Sequence, residues 1–117
     1  MSDEGFLTEM PPIPEDEFVV FGQAIAYPEH ADALERVYAE TTRLAASEPG
    51  TVYYCLARDE KDRNKFHFFE RYKGRKAFDA HNEQPIIQKL LKEDKYIRGV
   101  QAVTFAKAIE PAEDQKS

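Results

Sequence analysis

Residues 65–82 read KFHFFERYKGRKAFDAHN, and this stretch decides how the chain folds. Its first part is a strand pattern: Phe66, Phe68, Phe69 and Tyr72 are aromatic, and residues 66–72 contain neither Gly nor Pro. Gly74 breaks the run, and a helical pattern follows at once. Ala77, Phe78 and His81 stand at the i, i+1, i+4 spacing that shares one helix face. A histidine is thus carried inward beside a phenylalanine, just past a strand ending in Glu-Arg-Tyr.

Before this stretch, residues 51–58 (TVYYCLAR) form another strand pattern, and the polar residues 59–65 between the two read as a turn. The two strands are therefore expected to pair antiparallel. Ser47-Glu48-Pro49-Gly50 stops a helix over residues 30–47, whose stripe is Leu34, Val37, Tyr38, Thr41, Leu44 and Ala45. Residues 18–27 (FVVFGQAIAY) make the first strand, with Gly22 marking a bulge or a close approach, and Pro28 ends it. Beyond His81 the helix cannot run straight on, because Pro85 would remove a hydrogen bond and clash with the preceding turn. A break is expected at residues 82–84, with Pro85 opening a segment to residue 93 that carries Ile86, Ile87, Leu90 and Leu91. Residues 99–109 (GVQAVTFAKAI) are the last strand.

The order β-α-β-β-α-β is the ferredoxin-like α+β plan, one antiparallel sheet with its helices on one face. The domain covers residues 18–109, between an acidic, proline-bearing N-terminal arm (1–17) and a polar C-terminal tail (110–117), both expected to be flexible. The alternative for the arm is that it packs Phe6, Leu7 and Ile13 on a partner subunit. The strands are apolar at both parities: Val19 and Phe21 against Phe18 and Val20, then Phe69 against Phe68. A sheet with one wet face would alternate more cleanly. The bare face is expected to meet a second copy, giving a homodimer in which two sheets face each other.

Composition narrows the function. The chain has 117 residues, enough for one domain with one core, and its 42% hydrophobic and 32% charged content is that of a globular protein. With 16 basic against 22 acidic residues the net charge is −6, which argues against nucleic acid as a partner. No apolar run reaches the roughly 20 residues of a membrane span, and MSDEGFLTEM lacks the charge and apolar stretch of a secretion signal. The lone cysteine, Cys55, gives no disulfide framework, and a cytoplasmic location is expected.

EPGTVYYCLARD, then FHFFERY, then AFDAHNEQP resemble the antibiotic biosynthesis monooxygenase family, over about residues 18–105. The resemblance implies a dimeric α+β barrel of two ferredoxin-like protomers, with a pocket in each between sheet and helices. It also implies oxygenase chemistry with no flavin, haem or metal, in which the ionised substrate itself passes an electron to O2. The protein then supplies a dry cavity and one or two proton-handling groups. The chain departs from the family pattern at Tyr72, where Trp is frequent, and at Ile86, where a second His is frequent. In the haem-degrading branch the iron-binding His would fall near Leu91, which cannot ligate.

His81 is the leading candidate for a catalytic base, since an imidazole with an ordinary pKa of roughly 6.5 suits proton abstraction near neutrality. Its bland alternative is a partly buried histidine hydrogen-bonded to a backbone carbonyl or capping the helix break. Glu70 and Tyr72 share the parity of Phe68, so all three face one side of the sheet. Tyr72 would donate to a substrate oxygen, and Glu70 would orient a base or take a proton. For Glu70 the alternative is an ion pair. Tyr54, which shares its parity with Val52 and Leu56, is expected at a substrate-binding position, as are Phe68, Phe78 and Gln23; the alternatives are a core Tyr54 with its hydroxyl satisfied and a Gln23 that fills a bulge beside Gly22. No two of the three histidines stand at helical ligand spacing, and no metal or cofactor is expected. The expected activity is cofactor-independent oxidation of a small, apolar, electron-rich aromatic by O2, with a quinol, anthrone or polyketide phenol as substrate. The alternatives are a non-catalytic, dimeric small-molecule-binding or stress-associated protein and, for a more polar pocket, an isomerase of a signal molecule.

Overall fold

The computed structural model describes residues 5–113. Its elements are β1 (Phe18–Ala26), a single 3-10 turn (Pro28–His30), α1 (Ala31–Ala45), β2 (Thr51–Arg58), β3 (Lys65–Tyr72), α2 (Arg75–Asn82), α3 (Pro85–Glu93) and β4 (Ile97–Ala106). The four strands make one sheet in the order β2-β3-β1-β4, every neighbouring pair antiparallel. The fold is ferredoxin-like α+β.

Proline sets the breaks. Pro28 converts the expected start of the first helix into the 3-10 turn, and α1 proper begins at Ala31. Gln84 is extended, as a residue before proline prefers, so α2 stops at Asn82 and α3 starts on Pro85. The last strand begins two residues earlier than the sequence pattern suggests. Ala26 pairs with Ile97, and the Tyr27 amide donates to the Tyr96 carbonyl at 3.0 Å.

The strand parities separate two faces. Phe18, Val20, Ala24 and Ala26 of β1, with Phe66 and Tyr72 of β3, are buried on the side of the helices. There they form two clusters, one around Leu34 and Leu90 with Phe66, the other joining Phe18, Val20, Tyr72 and Phe78. On the opposite face Phe21 stacks on Phe69 with centroids 5.8 Å apart. Two irregularities bend this sheet. Phe21 pairs with Thr104 but Gln23 with Gln101, so β4 carries one extra residue opposite Gly22, and Ala102 takes a positive φ of 54°. A Cβ on Gly22 would lie 3.0 Å from Val103 Cα, which is why glycine stands there. In β2, Thr51 pairs with Tyr72 and Tyr53 with Arg71, leaving Val52 unpaired and exposed. Val52 therefore does not continue the row of Tyr54 and Leu56.

The arm lies on its own chain. Phe6 bridges to Gln101, the Leu7 amide donates to the Val100 carbonyl at 2.9 Å, and Ile13 packs against the Phe18 cluster. The Arg75 amide donates to the Glu15 carbonyl at 3.0 Å, an approach possible because Gly74 has no side chain to block it. The first four residues of the arm and the last four of the tail lie outside the described residues.

Candidate active site

A cavity of about 260 Å³ lies between the sheet and the α2–α3 layer. Val20, Ala24, Phe68, Val103 and Phe105 form its apolar floor; Phe78, Ile87 and Leu90 cover it, and Met10 of the arm reaches its edge. The two core clusters flank it. Members of both line it: Ala24 and Leu90 of the first, Val20 and Phe78 of the second.

The polar groups of this cavity converge. β3 brings Glu70 in beside Phe68 by strand parity, β2 brings Tyr54, and the last turn of α2 brings His81. His81 is 4% exposed. Its ring centroid is 5.0 Å from that of Tyr54 and 5.5 Å from that of Tyr72. Nδ1 lies 2.7 Å from Oε1 of Glu48, and the same oxygen accepts the Thr51 hydroxyl at 2.7 Å. With Nδ1 so engaged, Nε2 is the nitrogen left for a ligand.

Burial raises the pKa of Glu70 above the usual carboxylate range, against the opposing effect of the hydrogen bond that the Tyr72 hydroxyl donates to it. Tyr72 is pushed well up by burial and then by the Glu70 charge. Tyr54 rises for the same two causes, in that order, and its hydroxyl donates to Thr41 Oγ1 at 3.0 Å. The tyrosines are thus neutral donors already committed to protein acceptors. Glu70 is the cavity-lining carboxyl group, and burial favours its neutral form.

The sequence-predicted residues divide accordingly. His81, Glu70, Tyr54, Phe68 and Phe78 line one cavity. Tyr72 does not. It packs behind the wall against His81 and Phe78, with its hydroxyl on Glu70, so it is not placed to donate directly to a substrate. Gln23 is also displaced from its expected role. It shares the parity of Phe21 on the other face and accepts a hydrogen bond from Gln101 at 2.9 Å. His67 stands on that face too, with Nε2 2.8 Å from Asp59 Oδ1, and His30 packs edge-on to Tyr96. Sequence reasoning missed Glu48, whose Glu-Pro-Gly setting signals a helix stop and gives no hint of a partner 33 positions away. Among the described residues, no group of three or more His, Cys, Asp and Glu side chains could hold a metal ion, and no helix is long and apolar enough to cross a membrane.

Comparison with known proteins bears on this geometry. The profile of the family described as "Antibiotic biosynthesis monooxygenase" matches residues 18–93. An uncharacterized protein of Synechocystis sp. is 35% identical over 74 residues, a match covering 61% of this chain and 48% of the relative. The chain therefore spans about half the length of the curated relative it matches. Among solved structures, a Pseudomonas aeruginosa protein superposes with a TM-score of 0.72 at 19% identity, covering 87% of this chain and all of the other. A Mycobacterium tuberculosis protein gives a TM-score of 0.68 at 24% identity, over 83% of this chain and 99% of that one. A structure described as an antibiotic biosynthesis monooxygenase gives 0.69 at 26% identity, over 80% and 99%. At identities under 25% the likeness speaks for the fold alone.

Proposed function

The chain belongs to the antibiotic biosynthesis monooxygenase family, and on that premise we propose that it is a cofactor-independent monooxygenase. Its substrate is a small, apolar, electron-rich aromatic, a quinol, anthrone or polyketide phenol, and its oxidant is O2. One observation carries this reading: the cavity is apolar along its floor and cover, and His81 and Glu70 share its wall. An aromatic ring suits the apolar body while its ionisable O–H or activated C–H meets the imidazole. The volume of about 260 Å³ falls just under the roughly 300–1,000 Å³ of sites for drug-sized ligands, which favours a small ring system.

In the proposed reaction His81 Nε2 accepts the substrate proton. The anion passes one electron to O2, and the radical pair combines into a carbon-bound peroxide. For an activated CH2 the sum is CH2 + O2 → C=O + H2O. One oxygen enters the product, the other leaves as water with both hydrogens, and the substrate supplies all four electrons. No external reductant is consumed. The apolar walls keep water from the intermediates, and Glu70, when it holds its proton, can hydrogen-bond to the oxygen on which charge develops.

We further infer that two copies pair through their outer sheet faces, where Phe69 and Tyr53 are 43% and 52% exposed. The exposed free thiol of Cys55 fits a reducing, cytoplasmic setting. The test is oxygen uptake during turnover of a quinol and anthrone panel, without added flavin or metal. One O2 consumed per product, with one labelled oxygen retained from 18O2, is expected. A panel that binds in the cavity but draws no oxygen would instead favour a non-catalytic binding protein.

A further inference from the structure

We propose that Glu48 is the positioning residue for His81: it fixes the ring in the Nδ1–H tautomer, leaves Nε2 bare toward the ligand, and holds the imidazolium that forms on proton transfer. The proposal rests on the reading of His81 as the base.

Glu48 is anchored from two sides. Its Oε1 meets His81 Nδ1 at 2.7 Å and accepts the Thr51 hydroxyl at 2.7 Å, and both side chains of the Glu48–His81 pair are largely buried. Thr51 begins β2, and His81 lies in the last turn of α2, so the carboxylate ties the base to the sheet edge rather than to its own helix. An ionised carboxylate can only accept, so the shared hydrogen belongs to Nδ1. A free imidazole has no such fixed choice of nitrogen.

Four further titratable groups surround the ring. Glu70 and Tyr72 of β3 face it from the sheet, Tyr54 faces it from β2, and Lys76 of α2 stands on the surface groove that His81 and Glu48 also line. Glu70 is favoured in its neutral form by burial, and the two tyrosines are held protonated. Glu48 is the carboxyl group that the ring itself meets, at 2.7 Å. When Nε2 gains a proton, the new positive charge lies against that carboxylate in a poorly solvated site, where the attraction is strong. The two carboxyl groups thus divide the labour, with Glu48 orienting the base and Glu70 facing the ligand.

The test uses the full chain free of substrate. Long-range 15N–1H correlation spectra of the His81 ring are expected to show a protonated Nδ1 and a bare Nε2 in the wild type. In Glu48→Ala the ring should go over to the Nε2–H form. With a turned-over quinol, kcat per folded molecule should fall roughly 10²-fold, with KM little changed. Glu48→Gln supplies the second variant, needed if the alanine protein does not fold. Its amide oxygen still accepts from Nδ1, so the tautomer should persist while kcat falls for want of the charge. A wild-type ring in the Nε2–H form, an alanine variant that keeps Nδ1–H, or a glutamine variant with wild-type kcat would each overturn the proposal. Because the ring spectra need no substrate, they separate the failure of this proposal from failure of the monooxygenase reading.

Discussion

On the helix side of β3, Phe66 and Tyr72 are 3% and 0% exposed; on the other side of the same strand, Phe69 is 43% exposed. The residues are alike, and the difference lies in what covers them. The contrast extends to the acids. Glu70 faces inward, and burial raises its carboxyl pKa. Asp59, beside the outer-face His67, is held well below the usual range by the backbone amide of Asp62, then by His67 and the amide of Lys61. A carboxyl group that meets amides is held toward its charged form, while one withdrawn from water is pushed toward its neutral form. The two polar groups proposed for the reaction, His81 and Glu70, lie on the inner face, at the cavity.

The comparison is broken most directly by truncating one ring on each face. Phe18→Ala, inside, should cost about 3–5 kcal/mol of unfolding free energy, because it opens a hole among Tyr72, Phe78 and Phe105. Phe69→Lys, outside, should leave the fold largely intact while shifting the protein from dimer to monomer at micromolar concentration. Chemical denaturation and sedimentation read the two effects, and a Phe69→Lys protein that stays dimeric removes the argument from the outer face.

A smaller effect sharpens the contrast between the acids. Because burial raises the folded-state pKa of Glu70, the folded protein binds that proton more tightly than the unfolded chain does. The linked stability is complete below the ordinary glutamate value of roughly 4.3 and is lost as pH rises through the folded value. Glu70→Gln removes this loss. Its stability relative to the wild type should therefore climb with pH over that window, by at most about 1.4 kcal/mol per pH unit. Asp59 has the opposite sign, with stability present above the ordinary carboxylate value and lost as pH falls. Melts of the two proteins across acid to neutral pH measure the difference, and parallel curves would contradict the shift at Glu70.

The fold was legible because its signals are local. Period-two aromatics mark β3, Pro85 divides the second helical region, and the inward row Phe66, Phe68, Glu70, Tyr72 follows from parity once one member is placed. The site was legible only where it shares those local signals, as at His81 and Phe78. Gln23 was misassigned because β1 is apolar at both parities, so the strand does not say which face holds the cavity. Tyr72 stands on the expected side, but its hydroxyl is taken up by Glu70 two residues away, a contact that parity allows but cannot announce. Glu48 depends on a loop meeting the end of a distant helix, and no periodicity carries that information.

The central claim is that His81 moves the proton on which the reaction depends. Its most direct test is kcat per folded molecule for His81→Ala on a turned-over quinol, with thermal melts alongside. The expected result is a loss of about 10²–10⁴-fold in kcat per folded molecule, over and above the stability lost when the buried Glu48 carboxyl is left without its ring partner. A His81→Ala protein with near-normal kcat per folded molecule would contradict it.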